Sequence, residues 1–201
     1  MFTTAQAARA DVSRKTLSGL SSSGAIHRVA QGVYRMAGAP EPEHEFIYAP
    51  WLALGGATLP PTENGVPAVV VAGESAAIAH GIGDWFPGVV DVMTPTRRTT
   101  RLPDVRLRTR HLSPDEVVFL NGLPTLTVER TIADLLEQWA DQSLVVDALR
   151  QAAEQGKLLS PRRLAEFLDP IAAAHGAESG AEFAAQLMEE AGLATGAAAR
   201  G

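Results

Sequence analysis

The 201-residue chain contains no cysteine, which excludes disulfide bonds, thiolate metal sites and a cysteine nucleophile. Aromatic residues make up only 5% of it, and they do not interleave with basic residues as in proteins that stack on RNA bases. No apolar run reaches the length of a membrane span, and the first residues lack the apolar core of a signal peptide. These absences predict a soluble cytoplasmic protein without a membrane partner. The length of 201 residues is enough for one domain, or for a small module attached to a modest domain.

The residues that metal and nuclease chemistry need are also sparse. The five histidines are scattered without an H-x-x-x-H pair, so we expect no metal site. Lys15 and Lys157 are the only lysines, and no strand-borne aspartate is followed by Glu-x-Lys, which argues against a nuclease. We therefore expect a non-enzymatic protein with no cofactor.

The formal net charge of −6 is distributed unevenly along the chain. Residues 1–40 carry five basic residues and one acid, and residues 97–112 carry six arginines and one acid. Residues 41–96 hold seven acids and no lysine or arginine, while residues 113–201 hold fourteen acids and six basic residues. Such asymmetry predicts a polyanion-binding module joined to an acidic remainder, although a solvated basic face on an ordinary domain remains the alternative.

The first 37 residues predict two short helices followed by a β-hairpin. Thr3 and Gln6 have the spacing of a capping box, and Ser13 is a good cap for the second helix. Strands are predicted over 26–30 and 33–36, on either side of a Gln-Gly turn. This order is that of a winged helix, in which the second helix enters the major groove of DNA.

The remaining sequence predicts a mixed α/β domain after a linker at residues 37–45. We assign the chain to the α/β (α+β) class: a small N-terminal winged helix-turn-helix at 1–38, then a mixed α/β domain at 45–194 ending in a helical C-terminal part. The predicted elements are a helix at 46–54, strands at 69–71, 89–93 and 105–112, a short helix at 74–80, a hairpin at 117–126, and helices at 127–140, 143–155, 160–174 and 178–192. The last nine residues, 193–201, are expected to fray.

Three patches resemble the AbiEi family of antitoxins. The run FTTAQAARADVSRKTLSGLSSSGAIHRVAQGVYRMAGAP is similar to the family's N-terminal winged helix, and VVVAGESAAIAHGIG continues the resemblance. In LNGLPTLTVERTIADLLEQ the family signature is matched by Gly122, Pro124, Thr127, Arg130, Thr131, Asp134 and Leu135. The resemblance covers about Phe2 to Glu137.

The resemblance implies an antitoxin of a toxin–antitoxin pair. It would bind promoter repeats in double-stranded DNA, repress its own operon and counteract a nucleotidyltransferase-like toxin. The residues expected to face DNA are Thr4, Arg14, Lys15, Thr16, Ser18, Arg28 and Arg35. Family members usually have a further helix before this segment, so we expect either that the true start lies upstream of Met1 or that another element completes the helical core.

The second basic stretch gives a further expectation. Arg97, Arg98 and Arg101 are predicted to extend the DNA footprint along phosphates, on the same side as Arg14 and Lys15; the alternative is that they meet an acidic protein partner. If these arginines bind phosphates, the affinity of the protein for duplex DNA should fall as the salt concentration rises.

Two other functions compete with this interpretation. The first is a stand-alone winged-helix repressor without a toxin partner. The second is a serine hydrolase centred on Ser75, because Gly73-Glu74-Ser75 after a valine strand superficially resembles a nucleophile elbow. The elbow's glycine after the serine is replaced by Ala76 here, which favours an ordinary strand-to-helix turn. His80 is interpreted as a core or cap residue.

Overall fold

The computed structural model describes residues 1–193, which form two compact units. Unit 1 comprises Met1–Val71 and Gly88–Pro114, and unit 2 comprises Ala72–Pro87 and the chain from Asp115 onward. The mixture of helices and strands confirms the α/β class. The expected fraying concerns mainly residues 194–201, which lie outside the described residues.

The head, residues 1–37 of unit 1, has the predicted elements and one more strand. Its elements are β1 (Phe2–Thr3), α1 (Thr4–Arg9), α2 (Arg14–Ser22), β2 (Ile26–Ala30) and β3 (Val33–Met36). The strands form an antiparallel sheet in the order β1-β3-β2. Sequence reasoning missed β1, because a strand of two residues that ends in a helix cap shows no alternation of apolar and polar residues.

The predicted helix caps of the head are present. The backbone N–H of Gln6 donates to Thr3 Oγ1 at 3.1 Å, and the N–H of Thr3 donates to Gln6 Oε1 at 2.7 Å. Ser13 Oγ accepts from the N–H of Thr16 at 3.1 Å. These bonds satisfy donors that the first turn of a helix leaves without partners.

The head's own hydrophobic core is small and open on one side. Ala7, Leu17 and Ile26 are its buried members. An apolar concavity of about 330 Å³ lies beside them, lined in part by Leu20, which is 37% exposed, and Met36.

The rest of unit 1 is a helix and a small mixed sheet. The elements are α3 (Glu45–Ala53), β4 (Val70–Val71), β5 (Val90–Thr94) and β6 (Val105–Thr109). Strand β5 pairs antiparallel with β4 and parallel with β6. Helix α3 packs against the strands of the head, and both belong to unit 1. The domain boundary between residues 38 and 45 stays a prediction.

Unit 2 combines a hairpin with five helices in its described part. The elements are α4 (Gly73–His80), β7 (Val117–Leu120), β8 (Leu123–Leu126), α5 (Val128–Glu137), α6 (Gln142–Glu154), α7 (Pro161–Leu168) and α8 (Gly180–Glu190). The hairpin turns at Asn121 and Gly122, both with positive φ, as its sequence predicts. The helix predicted at 160–174 gives way after Leu168 to a 3-10 turn at Asp169–His175, because Pro170 lacks an N–H.

The main core of the protein lies in unit 2. Ile132, Leu136, Leu149, Leu164 and Phe183 are all buried there, on helices α5, α6, α7 and α8. Among residues 1–193, no helix is both long enough and apolar enough to cross a membrane.

Candidate nucleic-acid interface

Helix α2 presents its polar side chains to solvent at its N-terminal end. It begins at Arg14, and Arg14, Lys15, Thr16 and Ser18 are all exposed. Leu17, in the same turn, is 1% exposed and anchors the helix in the head's core. Arg14 and Ser18 are four residues apart and therefore share a face. The sequence pattern thus fixes which side of α2 is available to a ligand.

The hairpin between β2 and β3 is held against the start of α1 by Thr4. The Thr4 N–H donates to the Gly32 carbonyl at 2.8 Å, and Thr4 Oγ1 donates to the same oxygen at 3.2 Å. Gly32 has a φ of 74°, and a Cβ there would lie 3.3 Å from Thr4 Oγ1. Thr4, predicted to face DNA, therefore also positions the wing.

The two wing arginines differ in their surroundings. Arg28 is exposed, whereas the Arg35 side chain is only 17% exposed. Arg35 Nε donates to Glu45 Oε1 at 2.9 Å, and its Nη1 donates to the Ala39 carbonyl at 2.9 Å. The ion pair with Glu45 therefore ties Arg35 of the wing to α3, and its contact with DNA stays a prediction.

Four of the six arginines in the second basic stretch fall into two sets. On β6, Arg106 Nη2 and Arg108 Nε bind the carboxylate of Asp91 at 2.6 and 2.9 Å, so that one negative charge offsets part of their positive charge. Arg97 and Arg101, in the loop between β5 and β6, are exposed. Sequence reasoning separated the loop from the strand but missed the role of Asp91, because an acid on a buried strand has no recognisable pattern.

Arg98, in the same loop, is half-buried. Its Nη2 donates to the Leu54 carbonyl at 3.0 Å. Its Nη1 is buried and has no hydrogen-bond partner within the described chain. The carbonyl therefore fixes the guanidinium and leaves one charged donor without an acceptor.

A groove of about 490 Å³ in unit 1 joins parts of both basic stretches. Arg14, Arg98 and Arg101 line it, together with Thr4 and Gly32 of the head. None of the lining residues, all within the described part of the chain, is an aspartate or glutamate. We call this feature the arginine groove. Lys15, Thr16, Ser18, Arg28 and Arg97 do not line it, although all five are exposed.

The signature residues near residue 130 form a buried network in unit 2. Arg130 is 1% exposed, and its Nη2 donates to Glu137 Oε2 at 2.8 Å. Its Nε lies 3.4 Å from Glu116, and the intrahelical contact with Asp134 is longer, at 3.9 Å. Asp134 Oδ2 accepts from the N–H of Gly73 at 2.9 Å. These residues join α5 to its neighbours and do not form an open site.

The proposed nucleophile elbow has no open site either. Ser75 is 2% exposed, which leaves a substrate no access to its hydroxyl. His80 Nε2 donates to the Leu126 carbonyl at 2.7 Å, and burial lowers the pKa of His80. Among residues 1–193, no three or more His, Asp or Glu side chains are grouped so as to hold a metal ion.

The comparisons with known proteins bear on the head alone. No curated protein matches the chain. The family model described as "Transcriptional regulator, AbiEi antitoxin" matches residues 1–37, and it does not reach the two later patches of the resemblance. The helix–turn–helix and wing that carry the exposed arginines are therefore similar to the AbiEi family of transcriptional regulators.

Proposed function

We propose that the protein is a DNA-binding antitoxin that represses its own operon and counteracts a nucleotidyltransferase-like toxin. The observation that carries the DNA-binding part is the exposed start of α2, where Arg14 and Lys15 are open to a ligand and Arg14 lines a groove without acidic residues. The family match over residues 1–37 supports a transcriptional regulator.

The exposed end of α2 suits the major groove of double-stranded DNA. Arg14 can bind guanine through two hydrogen bonds, and Lys15 donates to acceptors on base edges or phosphates. Thr16 and Ser18 supply hydroxyl groups for phosphates. Arg28 on the wing reaches the adjacent backbone, as wings do in this kind of module.

The toxin half of the proposal rests on the sequence resemblance and on charge. Unit 2 carries sixteen acidic and six basic residues, whereas unit 1 carries eleven basic and seven acidic ones. An acidic unit is repelled by DNA and is complementary to a basic protein surface.

Binding to the protein's own promoter tests the DNA half. We expect the full chain to bind this duplex with an affinity that falls steeply between 50 and 200 mM salt. Replacing Arg14 and Lys15 together by alanine should weaken binding at least tenfold, because each contributes about 1–3 kcal/mol when it contacts a base.

Arg162→Ala is the matched control. Arg162 is also an exposed arginine in the first turn of a helix, but it lies in unit 2, so duplex affinity should not change. If the double variant binds as tightly as the wild type, α2 is not the recognition helix.

A stand-alone repressor is the second candidate, favoured by the restriction of the family match to residues 1–37. Expression of the neighbouring gene, with and without this protein, separates the two functions. Growth arrest by the neighbour that this protein relieves supports the antitoxin, whereas a harmless neighbour leaves only the repressor.

A further inference from the structure

One guanidinium nitrogen of Arg98 is buried without a hydrogen-bond partner in the described chain, and it can donate to a ligand. A charged donor that is buried without an acceptor is costly, and such atoms in native proteins are rare. The Arg98 side chain is half-buried, and the loop holds its guanidinium in this position. The Leu54 carbonyl holds one nitrogen at 3.0 Å and leaves the other, Nη1, without a partner.

The surroundings of Arg98 determine the charge of that ligand. Arg14 and Arg101 line the same groove, and none of its lining residues in the described chain is acidic. Three guanidinium groups around one concavity repel each other until an anion enters. Their planar forks match the oxygen atoms of a phosphate particularly well.

We propose that the arginine groove is a phosphate-binding site in which Arg98 is the pre-oriented ligand, with Arg14 and Arg101 beside it. The inference deepens the proposed function, since one source of the phosphate is the DNA backbone. The other source is a phosphorylated small molecule of nucleotide size, for which a volume of about 490 Å³ is sufficient.

Each source has a distinct consequence. If a DNA phosphate enters the groove, the loop at 97–101 is a second DNA-contacting element beside α2 and the wing. If a free nucleotide enters, it takes Arg14 away from DNA, and the ligand regulates repression by competition.

The central variant is Arg98→Gln. Its side-chain amide retains a donor for the Leu54 carbonyl and removes the positive charge. With the promoter duplex, we expect the variant to bind about tenfold more weakly or worse, as for loss of a charged hydrogen bond. The slope of log affinity against log salt should fall in magnitude by about 0.9 for one lost phosphate contact.

A second measurement omits DNA. Thermal unfolding of the full chain is followed with ATP and, separately, with inorganic pyrophosphate. If the ligand is a free phosphorylated molecule, the wild type gains melting temperature with these probes, Arg98→Gln does not, and ATP displaces the promoter duplex. If the ligand is a DNA phosphate, only the duplex measurements depend on Arg98.

Controls keep the two proposals separable. Arg162→Ala should behave as the wild type in both measurements, and Arg101→Ala provides a second groove variant if Arg98→Gln does not fold. The inference is overturned if neither the salt slope nor the anion-induced melting shift depends on these two groove arginines. DNA binding through Arg14 and Lys15 would stand in that case. If the wild type binds no duplex, the anion measurement still decides the groove.

Discussion

The two units treat ionisable side chains in opposite ways. Among residues 1–193, six such side chains are buried: Asp91 in unit 1, and His80, Glu116, Glu129, Arg130 and Asp134 in unit 2. Unit 1 instead leaves Arg14, Arg28, Arg97 and Arg101 exposed. These four arginines of unit 1 are thus open to a ligand, whereas Arg130 of the unit 2 network serves the fold.

The buried charges of unit 2 are fixed by several contacts each. Glu129 Oε1 accepts from the N–H groups of Leu159 and Ser160, both at 2.8 Å, and so anchors the start of α7. Asp134 does the same for the start of α4 through Gly73. A charge taken out of water needs such partners, because desolvation otherwise exceeds the Coulombic gain. A residue of a family signature, such as Asp134, can therefore stabilise the fold without belonging to a functional site.

The largest expected effect follows from removing the centre of this network. Arg130→Met leaves the carboxylates of Glu116, Asp134 and Glu137 without their shared cation, which should lower the free energy of unfolding by about 3–5 kcal/mol. Urea unfolding of the full chain measures this. Arg101→Ala, in unit 1, should change it by less than about 0.5 kcal/mol.

For DNA binding we expect the reverse: Arg101→Ala should have the larger effect and Arg130→Met the smaller one. Folded Arg130→Met should retain the promoter affinity of the wild type, while Arg101→Ala should lose part of it. Two results would contradict this difference between the units. One is an Arg130→Met variant as stable as the wild type, and the other is a folded Arg130→Met variant that no longer binds DNA.

Asp91 is the one buried ionisable side chain of unit 1 among residues 1–193, and its replacement should have the next largest effect on stability. Asp91→Asn keeps the shape of the side chain but removes the charge that holds Arg106 and Arg108. We expect unfolding to become easier by about 1–3 kcal/mol, toward the lower end because the Arg106 side chain is 50% exposed.

Duplex binding separates this variant from a groove variant. Because Asp91→Asn frees positive charge in unit 1, affinity for a non-specific duplex should rise slightly or stay unchanged at low salt. A clear loss of duplex affinity in the folded variant would show that Asp91 supports the DNA-binding surface itself.

Local chemistry made much of this fold predictable from the sequence. Thr3 with Gln6, and Asn121 with Gly122, each specify a backbone geometry within a few residues, and the structure has those geometries. The pairing of Arg35 with Glu45 was not predictable in the same way. Its residues lie on different elements, and any of three acids at 41–45 had suitable charge.

The candidate site, too, could be predicted from the sequence only where it depends on neighbouring residues. The exposed face of α2 follows from helical periodicity around Leu17. The fixed guanidinium of Arg98 depends on a backbone carbonyl 44 residues away, and every residue has a carbonyl. Only the folded structure shows which oxygen atom lies within reach of Arg98. The arginines were therefore the only part of the groove that the sequence could predict.

The smallest expected effect concerns pH and again separates the units. Burial holds the pKa of His80 below its ordinary value of 6.5, opposed by the hydrogen bond to Leu126 and assisted by the charge of Lys157. The unfolded chain therefore binds the proton more readily, and stability should be lost as the pH falls from 6.5 toward the folded-state pKa.

His80→Gln tests the contribution of this one group, since glutamine retains a donor for the Leu126 carbonyl and does not titrate. Between pH 7.5 and 5.5, the wild type should lose more of its free energy of unfolding than the variant does. Parallel losses would contradict the assignment to His80. Because His80 lies in unit 2, we expect this loss of stability at low pH to originate in that unit.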